Sequence, residues 1–266
     1  MIYYKTEEEV ELIRKSCLLV CSTLAHVASL LKVGISAKDI DKSAESFIRS
    51  HNGVPAFKGY NGFPATLCVS VNEVVVHGIP SDYVFKPTDV VSVDCGVILN
   101  GFFGDAAYTF AFNEVNEETM KLLRITKESL YKAIEQAIVG NRVGDIGFAV
   151  QNHTEFANKY GVVRDLVGHG IGRNLHEEPN VPNYGRRGQG LLLKDGLVIA
   201  IEPMINMGTK DVRTAPDNWT IVTKDSRPSA HYEHTVVVRK NKADILSDHT
   251  DIEAEIKNNS EIRNIQ

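Results

Sequence analysis

Residues 6–51 and 116–151 read as two versions of one pattern, and this recurrence restricts the fold more than any other feature of the chain. Thr6-Glu7-Glu8-Glu9 is a capping box, and Val10, Ile13, Cys17, Val20 and Cys21 then recur at helical spacing up to Val33-Gly34. Ser36-x-x-Asp39 caps a second helix that runs to about His51. Asn116-Glu117-Glu118 opens a third, ending near Val139-Gly140, and Gly144-Asp145-Ile146 leads into a fourth. Leu12-Ile13-Arg14 aligns with Leu122-Leu123-Arg124 at an offset of 110, and Gly34 with Asp39-Ile40 aligns with Gly140 with Asp145-Ile146 at 106. A single four-residue deletion joins the two registers. Each helix pair runs into glycine-rich, strand-like sequence, which predicts two αα-then-β halves related by a pseudo-two-fold axis.

Strand signals lie at Thr66–Val71, Val74–His77, Val90–Leu99, Phe102–Phe112, Leu197–Glu202, Thr220–Thr223 and Ala230–Arg239. Asn100-Gly101 is the favoured pair for a tight type I′ hairpin, so antiparallel pairing and an α+β class are expected. No Pro/Ser/Gly-rich linker divides the chain, which predicts one domain over 1–266: a core of about 5–240 and a polar tail, 241–266, forming a surface helix or a frayed end. The longest apolar runs, Cys17–Cys21 and Gly196–Ile201, fall far short of the roughly 20 residues that cross a bilayer. No transmembrane helix and no targeting segment are expected, and the default compartment is the cytoplasm. A net charge of −5 argues against a protein built to grip phosphate backbone. Cys17, Cys21, Cys68 and Cys95 contain no Cys-x-x-Cys and read as buried thiols.

The chemistry concentrates in Val91-Ser92-Val93-Asp94-Cys95-Gly96 and Gly101-Phe102-Phe103-Gly104-Asp105. With Asn100 and Gly101 as the loop, Leu99 pairs with Phe102, Asp94 lies opposite Ala107 and Gly96 opposite Asp105. The two aspartates then share a face as diagonal neighbours, with Cα atoms about 7–8 Å apart. Such a pair holds a metal, shares a proton, or faces solvent as two independent acids. Glu202 ends a core strand, Glu233 sits inside Ala230-His231-Tyr232-Glu233-His234-Thr235, and an acid in a core strand needs a partner. His169 lies in Gly168-His169-Gly170-Ile171-Gly172, with His176-Glu177-Glu178-Pro179 seven residues on. Neither segment is a His-Glu-x-x-His zinc motif, since position 180 is Asn180, nor a dinucleotide or phosphate loop.

Taken with Asn72-Glu73-Val74-Val75-Val76-His77-Gly78-Ile79-Pro80, Ala200-Ile201-Glu202-Pro203-Met204 and Tyr232-Glu233-His234-Thr235, these segments resemble the motifs of type I methionine aminopeptidases, in that family's order and over about residues 5–240. The resemblance implies a pita-bread fold, a curved antiparallel sheet covered by two pseudo-symmetric helix pairs. It also implies two divalent cations, with Asp94 on one, His169 and Glu202 on the other, and Asp105 and Glu233 bridging both. Such an oxygen-rich set suits Mn, Fe, Co or Zn. By the same resemblance Glu202 is the proton shuttle, His77 and His176 contact the substrate, and Tyr60, Phe63, Cys68 and Trp219 wall a methionine slot. The chain departs from the enterobacterial-like pattern at Phe57 and Leu175, which bears on the size of that slot.

The activity so implied is a metallo-exopeptidase removing N-terminal methionine from nascent chains with a small second residue. It would work as a monomer in transient contact with ribosomes, with no specific nucleic-acid site and no membrane. An Xaa-Pro aminopeptidase or prolidase shares the five ligand types but usually carries a large extra amino-terminal domain. A metal-free binding protein of the same fold typically replaces ligands, and all five are present here.

Overall fold

The predicted repeat emerges directly from the order of elements in the computed structural model, which describes residues 1–265. Helices α1 (Glu7–Leu30) and α2 (Ala37–Ser50) precede β1 (Val54–Pro55), β2 (Leu67–Val71), β3 (Val74–Val76), β4 (Val90–Leu99) and β5 (Phe102–Ala111). Helices α3 (Glu117–Ile134) and α4 (Val143–Gln151) precede β6 (Gly161–Val162), β7 (Gly168–Gly170), β8 (Glu177–Val181), β9 (Val198–Ile201), β10 (Met204–Asn206), β11 (Val212–Thr214), β12 (Ile221–Thr223), β13 (Ser229–His231), β14 (His234–Val237) and β15 (Asp244–Ile245). A final helix, α5, spans Thr250–Asn258. Every pairing between named strands is antiparallel. The largest sheets are β1-β4-β2 with β5 on β4, and β15-β14-β9-β7-β8.

Local chemistry explains the helices. The Thr6–Glu9 capping box forms in both directions, and Ser36 and Asn116 accept from the backbone N–H groups of Asp39 and Thr119. Helix α1 corrects one expectation, because an 18-residue stretch of it reaches a mean hydropathy of 1.2, enough by length and composition for a bilayer span. Three glutamates open it, and Ile13, Cys17, Val20 and Leu24 are buried in the protein's own core. It is the central core helix of a folded domain. Its contact with the sheet is close: a Cβ on Gly104 of β5 would lie 2.4 Å from the backbone nitrogen of Cys17. Gly104→Ala must push the helix off the strand, an overpacking of about 1–3 kcal/mol. We expect a fall in melting temperature of about 5 °C, at roughly 2–4 °C per kcal/mol for a chain of this size. Calorimetry checks this, and an unchanged transition would mean the contact is dispensable.

Three sequence boundaries shift for identifiable reasons. Helix α3 stops at Ile134 rather than near Val139, because the backbone there is taken by strand-like pairing of Ile138 and Val139 with Arg239. The single run Ala230–Arg239 is broken at Tyr232-Glu233, where the Glu233 N–H turns aside to donate to Ala107 O at 3.0 Å. The segment after Lys240 packs closely instead of fraying. Ile252, Ile256, Ile262 and Ile265 are buried, and Asn259 Nδ2 donates to Ala28 O and Leu31 O, capping the end of α1. Those isoleucines stand among charged residues at helical intervals, so average composition hides them.

Candidate active site

The hairpin forms in the register its two-residue loop dictates. Asp94 pairs with Ala107 and Gly96 with Asp105, and Asn100 and Gly101 hold the positive φ values, 52° and 77°, that a type I′ turn needs. Both aspartates therefore project from one face. Glu233 reaches the same face because its N–H is held by Ala107 on β5, while Thr235 Oγ1 donates to Asp105 O at 2.8 Å. Glu202 follows β9, and its carbonyl accepts from Asn183 Nδ2 at 2.9 Å. His169 sits between two glycines that no larger residue can replace. Added Cβ atoms on Gly168 and Gly170 would stand 2.4 and 2.5 Å from Ala200 O and Glu178 O. Those glycines let β7 run close enough to its neighbours to deliver the imidazole.

Asp105, His169 and Glu233 offer ligand atoms that all lie within 4.8 Å of one another. Glu202 Oε1 is 3.6 Å from His169 Nε2, and Asp105 Oδ2 is 3.9 Å from it. Asp94 and Glu202 lie just outside the tight group but line the same cavity. His169 Nδ1 is 2.9 Å from Gly170 O, so the proton sits there and the Nε2 lone pair faces the acids. Burial pushes the His169 imidazole down to about 3, with His176 adding to the effect, so it is neutral.

The four carboxylates all rise above their ordinary range. Burial is the first cause in each, carrying Asp94 to about 7. Mutual repulsion adds to it: Glu233 and Asp94 act on Asp105, Asp94 and Asp105 on Glu202, and Glu202 and Asp94 on Glu233. Among the described residues no lysine or arginine pairs with any of the four, and Asp94 Oδ1, Asp105 Oδ1 and Glu233 Oε1 are buried without a hydrogen-bond partner. Unpaired oxygens at this density, beside a neutral imidazole lone pair, fit a divalent cation and little else.

A cavity of about 220 Å³ opens from this cluster. Tyr60, Phe63, Cys68, His77, His176 and Trp219 line it with the five candidate ligands, so every site residue expected from sequence is brought together. Phe57 and Leu175 also line the wall, and Phe57 is laid against it by Gly96, whose added Cβ would meet the ring at 2.5 Å. Trp219 stands edge-on to Phe63 and His77, with ring centroids 5.2 and 6.4 Å apart. Asp217 Oδ1 holds its turn by accepting from the Trp219 and Thr220 N–H groups. His77 follows β3 with a φ of +57°, a strained conformation for a residue with a β-carbon. Tyr60 Oη is 2.8 Å from His176 Nδ1, and the His176 ring lies 4.3 Å from that of His169. The loop bearing His176 is pinned by Glu177, which pairs with Lys5 at 2.5 Å and accepts from the N–H groups of Arg173 and Asn174.

Sequence reasoning missed His231. It lies two residues before Glu233, and nothing in a strand-like run distinguishes a side chain aimed at the site from one aimed at the core. Val76, Leu166, Val167 and Met204 were missed as cavity walls for the same reason.

Residues 11–240 match metallopeptidase family M24. A methionine aminopeptidase of Clostridium acetobutylicum is 50% identical over 248 residues, 93% of this chain and 99% of that protein. The crystal structure of methionine aminopeptidase from Thermotoga maritima superposes with a TM-score of 0.91 at 42% identity, covering 93% of this chain and all of that one. Prolidase from Pyrococcus furiosus shares the fold at a TM-score of 0.74 and 23% identity, and this chain spans 65% of its length.

Proposed function

The chain belongs to metallopeptidase family M24 and, within it, to the methionine aminopeptidases, and from that premise we propose that it releases the N-terminal methionine of polypeptides whose second residue is small. The observation that carries this reading is the group of four buried, unneutralised acids around His169 at the floor of an apolar slot. Asp94, Asp105, His169, Glu202 and Glu233 are the residues that would hold two divalent cations, Mn, Fe, Co or Zn. Bound there, the cations supply Lewis acidity that lowers the pKa of water and polarises the scissile carbonyl.

The chain's own groups do the rest. Glu202 takes the proton from the attacking water and returns it to the leaving amine, a role suited to a carboxylate that burial holds above its ordinary range. If Tyr60 O–H donates to His176 Nδ1, the imidazole proton stays on Nε2, free to donate to the substrate oxygen as charge develops. His77, neutral because burial and His176 lower its pKa, contacts the substrate from beside Trp219. Phe63, Cys68, Trp219 and Tyr60 enclose an unbranched thioether and exclude water from the reacting carbonyl. Phe57 and Leu175 also line the slot and bear on its size. We extend the reading to nascent chains in the cytoplasm, met by a monomer in brief contact with ribosomes. A net charge of −5 opposes a standing grip on RNA.

The test uses protein stripped of metal and resupplied with Mn, Fe or Co. Metal-dependent release of methionine from Met-Ala-Ser, with Met-Lys-Ser and Ala-Pro untouched, is the expected result. Cleavage of Ala-Pro moves the chain to the proline-specific branch, and no cleavage with any metal removes the peptidase reading.

A further inference from the structure

Among the residues lining and backing the site, His231 carries a buried polar atom that the reading above leaves unused. The residue is 1% exposed, and Nε2 has no hydrogen-bond partner. An imidazole nitrogen left so costs about 1–3 kcal/mol, which calls for a partner in the working state. Glu202 Oε2 stands 3.7 Å away. The other oxygen of that carboxylate, Oε1, lies 3.6 Å from His169 Nε2, so Glu202 is flanked by one imidazole on each side. A movement of under 1 Å closes the His231 contact to ordinary hydrogen-bond length.

The backbone is built to hold His231 in place. Its N–H donates to Thr109 Oγ1 at 3.1 Å, Thr109 Oγ1 donates to its carbonyl at 2.6 Å, and Ser92 Oγ completes the hydroxyl pair at 2.8 Å. Its β13 position pairs with Met204 on β10, two residues beyond Glu202, and Pro203 between them fixes the turn. The other titratable group facing the ring is His77. We propose that His231 is a positioning residue. It donates Nε2–H to Glu202 Oε2 and so fixes the carboxylate's orientation, with Oε1 kept on the side of His169 and the other candidate ligands. This rests on the assignment of Glu202 above as ligand and proton shuttle. Outer partners of ligand carboxylates typically contribute 10–100-fold to metal affinity or activity.

The experiment compares His231→Leu, which keeps bulk and loses the donor, with His231→Gln, whose amide N–H reaches a similar place. Mn affinity by calorimetry is read beside kcat and KM on Met-Ala-Ser at saturating Mn. For His231→Leu we expect Mn affinity to fall 10–100-fold and kcat to fall with KM near native, while His231→Gln recovers most of both. A Leu variant with native Mn affinity and kcat, or a Gln variant as poor as Leu, overturns the proposal. Should the Leu variant not fold, His231→Met is read in its place with the same outcomes. Glu202→Gln in the same calorimeter separates the two claims. If it binds Mn as tightly as the native chain, the assignment of Glu202 fails whatever His231 does.

Discussion

Glu233→Ala and Asp94→Ala are each expected to reduce methionine release from Met-Ala-Ser by about 10³-fold or more, the equivalent of about 4 kcal/mol of lost transition-state stabilisation. They should do so without unfolding the chain. Glu233 is 2% exposed and its Oε1 has no partner, so truncation breaks no side-chain hydrogen bond in the metal-free protein. Its backbone stays anchored through N–H to Ala107 O. Removing one of four like charges also relieves its neighbours, since Glu233 is among the groups that raise Asp105. The metal-free melting temperature should therefore hold or rise for Glu233→Gln and Asp94→Asn, which leave no cavity, while the alanine variants lose only what the void costs. Turnover retained by either alanine variant would sink the assignment. A large loss of metal-free stability in the isosteric pair would instead make these acids structural.

Stripping the metal should weaken the fold, and do so more as pH rises. The folded carboxylates bind protons more tightly than the unfolded ones, so between their ordinary range and the raised values the folded state holds more protons. Their contribution to stability is fully present below about pH 4 and is lost as pH climbs through the folded values, about 7 for Asp94, while the buried neutral His169, His231 and His234 act in the opposite sense only up to their ordinary range near 6.5. Cation binding needs the ionised forms and releases those protons, so the increment supplied by Mn grows over the same window. At a hundredfold excess over its dissociation constant one ion contributes about 2.7 kcal/mol. Melting curves at pH 6 and pH 8, with and without Mn, measure both trends. The expected result is a metal-free transition lower at pH 8 and an Mn-induced shift larger at pH 8. A shift equal at both would mean that the acids are not the ligands.

Most of the site was legible because its residues sit at positions that elementary rules fix. Two loop residues of the right type determine the whole β4–β5 register, and with it the relation of Asp94 to Asp105. Capping side chains gave the helix starts. What escaped depends on contacts distant in sequence. The end of α3 is decided by Arg239, the break in Ala230–Arg239 by Ala107, and the docking of α5 by the free carbonyls at the end of α1. The buried aim of His231 is of the same kind, for only the pairing with Met204 turns it toward Glu202. The residues picked out by the motifs line one cavity, but the motifs do not state which three draw tightest, because that depends on how β5, β7 and the Tyr232-Glu233 break meet.

Two of the residues proposed to face the substrate stand apart from the sheets that bear the proposed ligands, although Cys68 on β2 pairs directly with Asp94 on β4. His77 and Trp219 are carried at the edge of β3 and in the β11–β12 turn, a three-stranded sheet that supplies none of the five ligands. On the proposed assignment, substitution in that sheet reshapes which amino acid is admitted while Asp94, Asp105, His169, Glu202 and Glu233 keep their places on and beside β4, β5, β7, β9 and β14. Heredity can thus vary the diet of such an enzyme separately from its chemistry, and related chains should diverge first in the β11–β12 turn.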